Sequence, residues 1–99
     1  MITKEKALVE ITTLIERFKE HEEVYLQSSY NETQTRRDFI DPFFKALGWD
    51  IDNSNSLSES FRDVIHEDKV KVQGELKSPD YSFRINGRRC FFVEAKKPS

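Results

Sequence analysis

The chain has 99 residues, 34% of them charged and 36% hydrophobic, and a formal net charge of −2. That balance excludes a disordered chain, and no run approaches the roughly 20 apolar residues that span a bilayer, so no membrane association is expected. Its single cysteine, Cys90, excludes an internal disulfide, and the start of the chain lacks an apolar signal core, so a cytoplasmic location is expected.

In chain order, Thr3 can cap a first helix over about 3–24, in which Leu8, Ile11, Leu14, Ile15 and Phe18 recur at helical spacing. A second helix is predicted over about 31–47. Asn31 caps it, Gln34 completes a capping box, and Gly48 is the stop. Pro42 falls inside this pattern and predicts a kink, or a restart with Asp41 as a new cap. Residues 51–60 are rich in Asn and Ser and read as a loop. Strands are predicted at about 63–72, with a bend signalled by His66-Glu67-Asp68-Lys69, and at about 80–85 and 89–96. Asn86-Gly87 between the last two marks a hairpin. The expected fold is α+β, a single domain over 1–99 with two N-terminal helices packed on a small, mainly antiparallel sheet of about three strands.

Charge is unevenly spread. Residues 1–68 hold 8 Lys/Arg against 15 Asp/Glu, a balance of −7, and residues 69–99 hold 8 against 3, a balance of +5. A basic final third suits contact with phosphates over one limited surface; ordinary charge scatter is the plain alternative.

Pro79-Asp80 opens the first hairpin strand, and Glu94-Ala95-Lys96 closes the second. A hairpin returns both acids to one end of the sheet. Paired carboxylates repel unless a cation separates them, and a small set of hard oxygen ligands suits Mg2+. Lys96, two residues from Glu94, falls on the same face of an extended strand. Its ammonium could orient a water, help deprotonate it, or offset developing charge. Register decides whether the acids meet. A two-residue turn sets Asp80 opposite Val93 and away from Glu94. Either a three-residue loop, or a bulge or bend near Asp80, is needed to bring them onto one face.

Other readings of the same residues are simpler. Asp80 can cap a turn, Glu94 and Lys96 can be a solvated pair, and Glu32 can serve the helix macrodipole. Arg88 and Arg89 after a turn are either solvated or contact a DNA backbone. His21 and His66 read as surface residues, Trp49 as a core or helix-closing aromatic, and Cys90 as packing.

Pro79-Asp80 followed by Phe91-Phe92-Val93-Glu94-Ala95-Lys96 resembles the signature of the PD-(D/E)XK nuclease superfamily. The runs YNETQTRRDFIDPFFKALGWDI, DVIHEDKVKV and PDYSFRINGRRCFFVEAKKPS resemble the N-terminal nuclease domain of type IIG restriction–modification enzymes. They are similar, more distantly, to type I restriction enzyme R subunits. The likeness covers roughly residues 30 to 99.

It implies an incomplete restriction-endonuclease-like core, with Asp80 and Glu94 as metal ligands and Lys96 as the base or water-orienting group. It also implies Glu32 as a fourth catalytic member, Mg2+ as cofactor with Mn2+ able to substitute, and double-stranded DNA as substrate. Arg36, Arg88, Arg89 and Lys97 are candidate DNA contacts. Related domains continue beyond the E-A-K motif, so the chain is expected to be a truncated piece lacking the methyltransferase and target-recognition regions of a parent enzyme. The strand ending at Lys96 would then be an exposed edge open to homodimer formation. A non-catalytic DNA-binding or assembly domain of the same shape, and a related repair or resolvase nuclease, are the rival functions.

Overall fold

Thr3 starts the first helix by accepting the Lys6 N–H on its hydroxyl at 3.1 Å, and α1 runs Lys4–Glu20. His21 leaves the helical region (φ −119°, ψ 29°), so the expected helix over about 3–24 is divided into α1 and a single turn, α2, Glu22–Tyr25. Asn31 and Gln34 form the anticipated capping box, each side chain taking the other's backbone N–H at 2.8 Å. The computed structural model describes residues 3–99, which cluster into two units. These helices belong to the first, which comprises the chain up to Trp49 together with Ala95–Ser99.

The run after Asn31 stays helical but changes pitch. α3 (Glu32–Thr35) passes into a π-helical turn over Arg36–Ile40 and then α4 (Asp41–Ala46). Pro42 explains the change. It has no N–H to give the Asp38 carbonyl, and its ring would crowd that carbonyl in a regular helix. The helix widens by one residue, the Asp41 N–H bonds to the Arg36 carbonyl, and the Arg17 guanidinium donates to the freed Asp38 carbonyl. Asp41 itself is helical (φ −57°, ψ −50°), so it is no cap, although Pro42 does stand in the first turn of α4. Gly48, at φ 101°, ends the run. Its N–H bonds to Lys45 and that of Trp49 to Phe44, the paired bonds of a Schellman stop.

Phe18, Tyr25, Tyr30 and Phe39 pack as one aromatic cluster, with successive ring centroids 4.8–5.7 Å apart. Arg17 caps it, its guanidinium 4.8 Å from the Phe39 centroid.

The second unit, Asp50–Glu94, carries the strands. β1 (Val64–His66), β4 (Tyr81–Ile85) and β5 (Arg88–Val93) form an antiparallel sheet in the order β1-β4-β5. β2 (Val70–Val72) and β3 (Glu75–Lys77) form a separate two-stranded ribbon. The strand expected over about 63–72 is therefore two strands, parted at Glu67, whose φ is 53°. The last strand ends at Val93, before the predicted limit of 96. Tyr81, Ser82 and Phe83 are fully buried, and Val64, Ile65 and Ile51 complete this unit's core. The chain is α+β. No helix among the described residues is long and apolar enough to cross a membrane.

Candidate active site

Asn86 and Gly87 (φ 52° and 77°) make the tight two-residue turn, pairing Ile85 with Arg88 and Arg84 with Arg89. Continued without interruption, that register would leave Asp80 facing Val93. It is interrupted. The ladder shifts between Phe83 and Arg84, and beyond the shift Phe83 pairs with Phe91, Ser82 with Phe92 and Tyr81 with Val93. Cys90 is the extra residue, and it makes a β-bulge. Extended one step beyond the last pair, the same register would set Asp80 across from Glu94. The required departure from a regular hairpin is thus present, at Cys90 rather than near Asp80. Cys90 itself is exposed, not packed as expected.

The bulge sorts the two faces of the hairpin. Tyr81, Phe83, Phe91 and Val93 share one, where the Phe83 and Phe91 rings stack at 4.6 Å. Ser82 and Phe92 share the other. Pro79 is buried and Asp80 half-buried, and the Asp80 carbonyl accepts the Glu67 N–H at 3.0 Å, which prolongs the β1–β4 pairing by one residue. Glu94 is exposed and borders a cavity of about 270 Å³. Val70, Val72, Pro79 and Phe92 give the cavity apolar walls, and Lys77 is its other charged lining residue.

A second cluster of charge in this unit gathers on Asp68. The Asp68 carboxylate accepts from Arg84 Nη2 at 3.1 Å and from Arg89 Nε and Nη2 at 2.8 and 3.3 Å. The hydrogen bonds from Arg89, with those from Arg84 behind them, hold its pKa down to about 2, against the opposing effect of burial. Arg89, a candidate DNA contact by sequence, is therefore committed to Asp68. That pairing was invisible in the sequence because 21 residues separate the two.

The remaining candidates lie elsewhere. Glu32 is exposed in the first turn of α3, and Arg36 is half-buried at the start of the π turn. Lys96 and Lys97 are exposed and, with Ala95, belong to the first unit. Because β5 stops at Val93, strand alternation does not extend to Lys96. Arg88 is exposed beside the turn. His66 is exposed as expected, and its Nε2 lies 3.0 Å from the Ile51 carbonyl. Among the described residues, no group of three or more His, Cys, Asp or Glu side chains is gathered to hold a metal. Asp80 and Glu94 flank the last pair of the hairpin, Tyr81 with Val93.

No protein-family model matches the chain, and no solved structure matches it significantly. The chain is 45% identical, over 92 residues, to the type II restriction enzyme and methyltransferase RM.Eco57I of Escherichia coli. The match takes in 91% of this chain and 9% of that protein. The chain is thus related to a short segment of a much larger restriction–modification enzyme.

Proposed function

We propose that this chain is a Mg2+-dependent endonuclease domain of the PD-(D/E)XK type, acting on double-stranded DNA within a restriction–modification enzyme. The observation that supports this reading is the Cys90 bulge, whose register, extended one step past the Tyr81–Val93 pair, would set Asp80 opposite Glu94. Without it, the signature would be present in sequence but split across the sheet. The similarity to RM.Eco57I supports the restriction–modification setting.

The two carboxylates fit the proposed ion. Mg2+ takes one or two carboxylates and completes its shell with water and substrate phosphate, so a closed cage of protein ligands is not required. When bound, Mg2+ lowers the pKa of a water and offsets charge on the phosphoryl oxygens. Asp80 and Glu94 supply the hard oxygens that hold it. The resemblance assigns the water or the developing charge to Lys96, and a fourth catalytic role to Glu32. Mn2+ substitutes for Mg2+ in this scheme. Sequence selection and methylation belong to other regions of the enzyme.

The test is cleavage of plasmid DNA by the full-length protein in Mg2+, alongside Asp80→Asn and Glu94→Gln variants. Both variants are expected to lose cleavage while keeping their fold by circular dichroism. Unchanged cleavage in either would assign the domain a non-catalytic role in DNA binding or assembly.

A further inference from the structure

The β2–β3 ribbon is the one part of the second unit's strand structure that stands outside the main sheet, and the proposed chemistry leaves it without a role. Its register is Val70 with Lys77, Lys71 with Leu76 and Val72 with Glu75. Facing residues share a side, so Val70, Val72, Glu75 and Lys77 occupy one face and Lys71 and Leu76 the other. Lys69 immediately precedes β2.

The first face is tied to the candidate active site, because Val70, Val72 and Lys77 line the cavity that Glu94 borders. The second is open. Lys69 and Lys71 are exposed, and Leu76 is 64% exposed. At the tip, Gln73 and Gly74 turn the chain (φ 52° and 83°), and a side chain placed on Gly74 would meet nothing within 4 Å.

Between Lys69 and Lys77 the ribbon carries three lysines and one acid, Glu75. Glu75 pairs with Lys77 at 3.0 Å, but both side chains are more than half exposed, so a phosphate can displace the carboxylate at little cost. A narrow, two-stranded, cationic ribbon is the right size for a DNA groove, and its lysines are suited to the flanking phosphates.

We propose that the β2–β3 ribbon is a DNA-backbone clamp: Lys69, Lys71 and Lys77 contact phosphates of the duplex whose cleaved bond lies at the Glu94 cavity. The assignment rests on the nuclease reading for its substrate, but the ribbon binds DNA whether or not cleavage follows. The contacts are electrostatic and blind to sequence, so they set affinity and position and do not read the recognition site.

The experiment is a fluorescence-anisotropy titration of this chain with a labelled duplex of arbitrary sequence, at several salt concentrations and in EDTA so that no cleavage intervenes. Each phosphate contact contributes about 0.9 to the slope of log K against log salt. The triple Lys69→Ala, Lys71→Ala, Lys77→Ala variant should therefore flatten the slope by roughly 3. Over a fourfold rise in salt, the unaltered chain should lose about 40-fold more affinity than the variant. The triple Lys→Arg variant, which keeps the charge, should retain the original slope and guards against a folding artefact. An unchanged slope in the alanine variant overturns the proposal, and so does a chain with no affinity for duplex at low salt. Asp80→Asn separates the two readings. If the full-length Asp80→Asn protein cleaves normally while the ribbon variant still loses its slope, the catalytic assignment of this domain fails and the clamp stands.

Discussion

Asp68 illustrates how a single side chain can be misjudged from its neighbours in sequence. It stands in the run His66-Glu67-Asp68-Lys69, which reads as a bend, yet it is 7% exposed and gripped by two guanidinium groups. Its pKa falls from an ordinary 3.8 to about 2, so the folded chain holds the ionised form more tightly than the unfolded chain does. The sign follows. This stabilisation is fully present above about pH 4 and is lost as pH falls toward 2. The shift corresponds to about 2 kcal/mol, a ceiling because the Arg89 side chain is 45% exposed and screened. Asp68→Asn should cost up to that amount at neutral pH, and the gap between variant and parent should narrow steadily in acid. Urea denaturation at pH 7 and near pH 2 measures both. A gap that is the same at the two pH values would show that packing, not charge, is what Asp68 contributes. Tyr30 acts at the same scale in the first unit. Burial, and its hydrogen bond to Asp38 at 2.8 Å, hold its phenol above the usual range.

At the scale of elements, the features legible in sequence were those closed within three or four residues. Thr3 with Lys6, Asn31 with Gln34, the Gly48 stop and the Asn86-Gly87 turn all formed as their local chemistry required. The π turn and the bulge were not legible because each depends on a distant partner. The π turn tolerates Pro42 because Arg17, 21 residues before Asp38, takes up the freed carbonyl. The bulge exists because Phe91 must stack on Phe83, which a regular ladder counted from the turn would deny. Glu75–Lys77 was missed for a related reason: three exposed residues carry no hydrophobic alternation. If Cys90 is only the inserted residue, deleting it should leave the Phe83–Phe91 and Tyr81–Val93 pairs in place, keep Asp80 opposite Glu94 and preserve cleavage. Inserting an alanine between Phe92 and Val93 should carry Glu94 to the opposite face and abolish cleavage. Cross-strand nuclear Overhauser contacts and plasmid cleavage would report the two outcomes. Equal activity in both would remove the bulge from the argument.

At the scale of the whole molecule, the E-A-K motif lies across a structural division. Glu94 closes the second unit, whereas Ala95, 1% exposed, and Lys96 belong to the first. The acids and the lysine are assigned different tasks, which should separate under mutation. Asp80 and Glu94 carry the oxygen lone pairs that a hard cation needs, whereas a lysine has no oxygen ligand to offer. Lys96→Ala should consequently leave Mn2+ affinity intact, because no ligand is removed. It should still lower the cleavage rate by about 100-fold or more, the usual contribution of a positioned proton-transfer group. Asp80→Asn should lose both properties. Calorimetric titration of Mn2+ into each variant, paired with single-turnover cleavage at saturating metal, resolves the two effects. If Lys96→Ala weakens Mn2+ binding as much as Asp80→Asn does, the lysine supports the carboxylate pair structurally, and its assignment to the water or the developing charge fails.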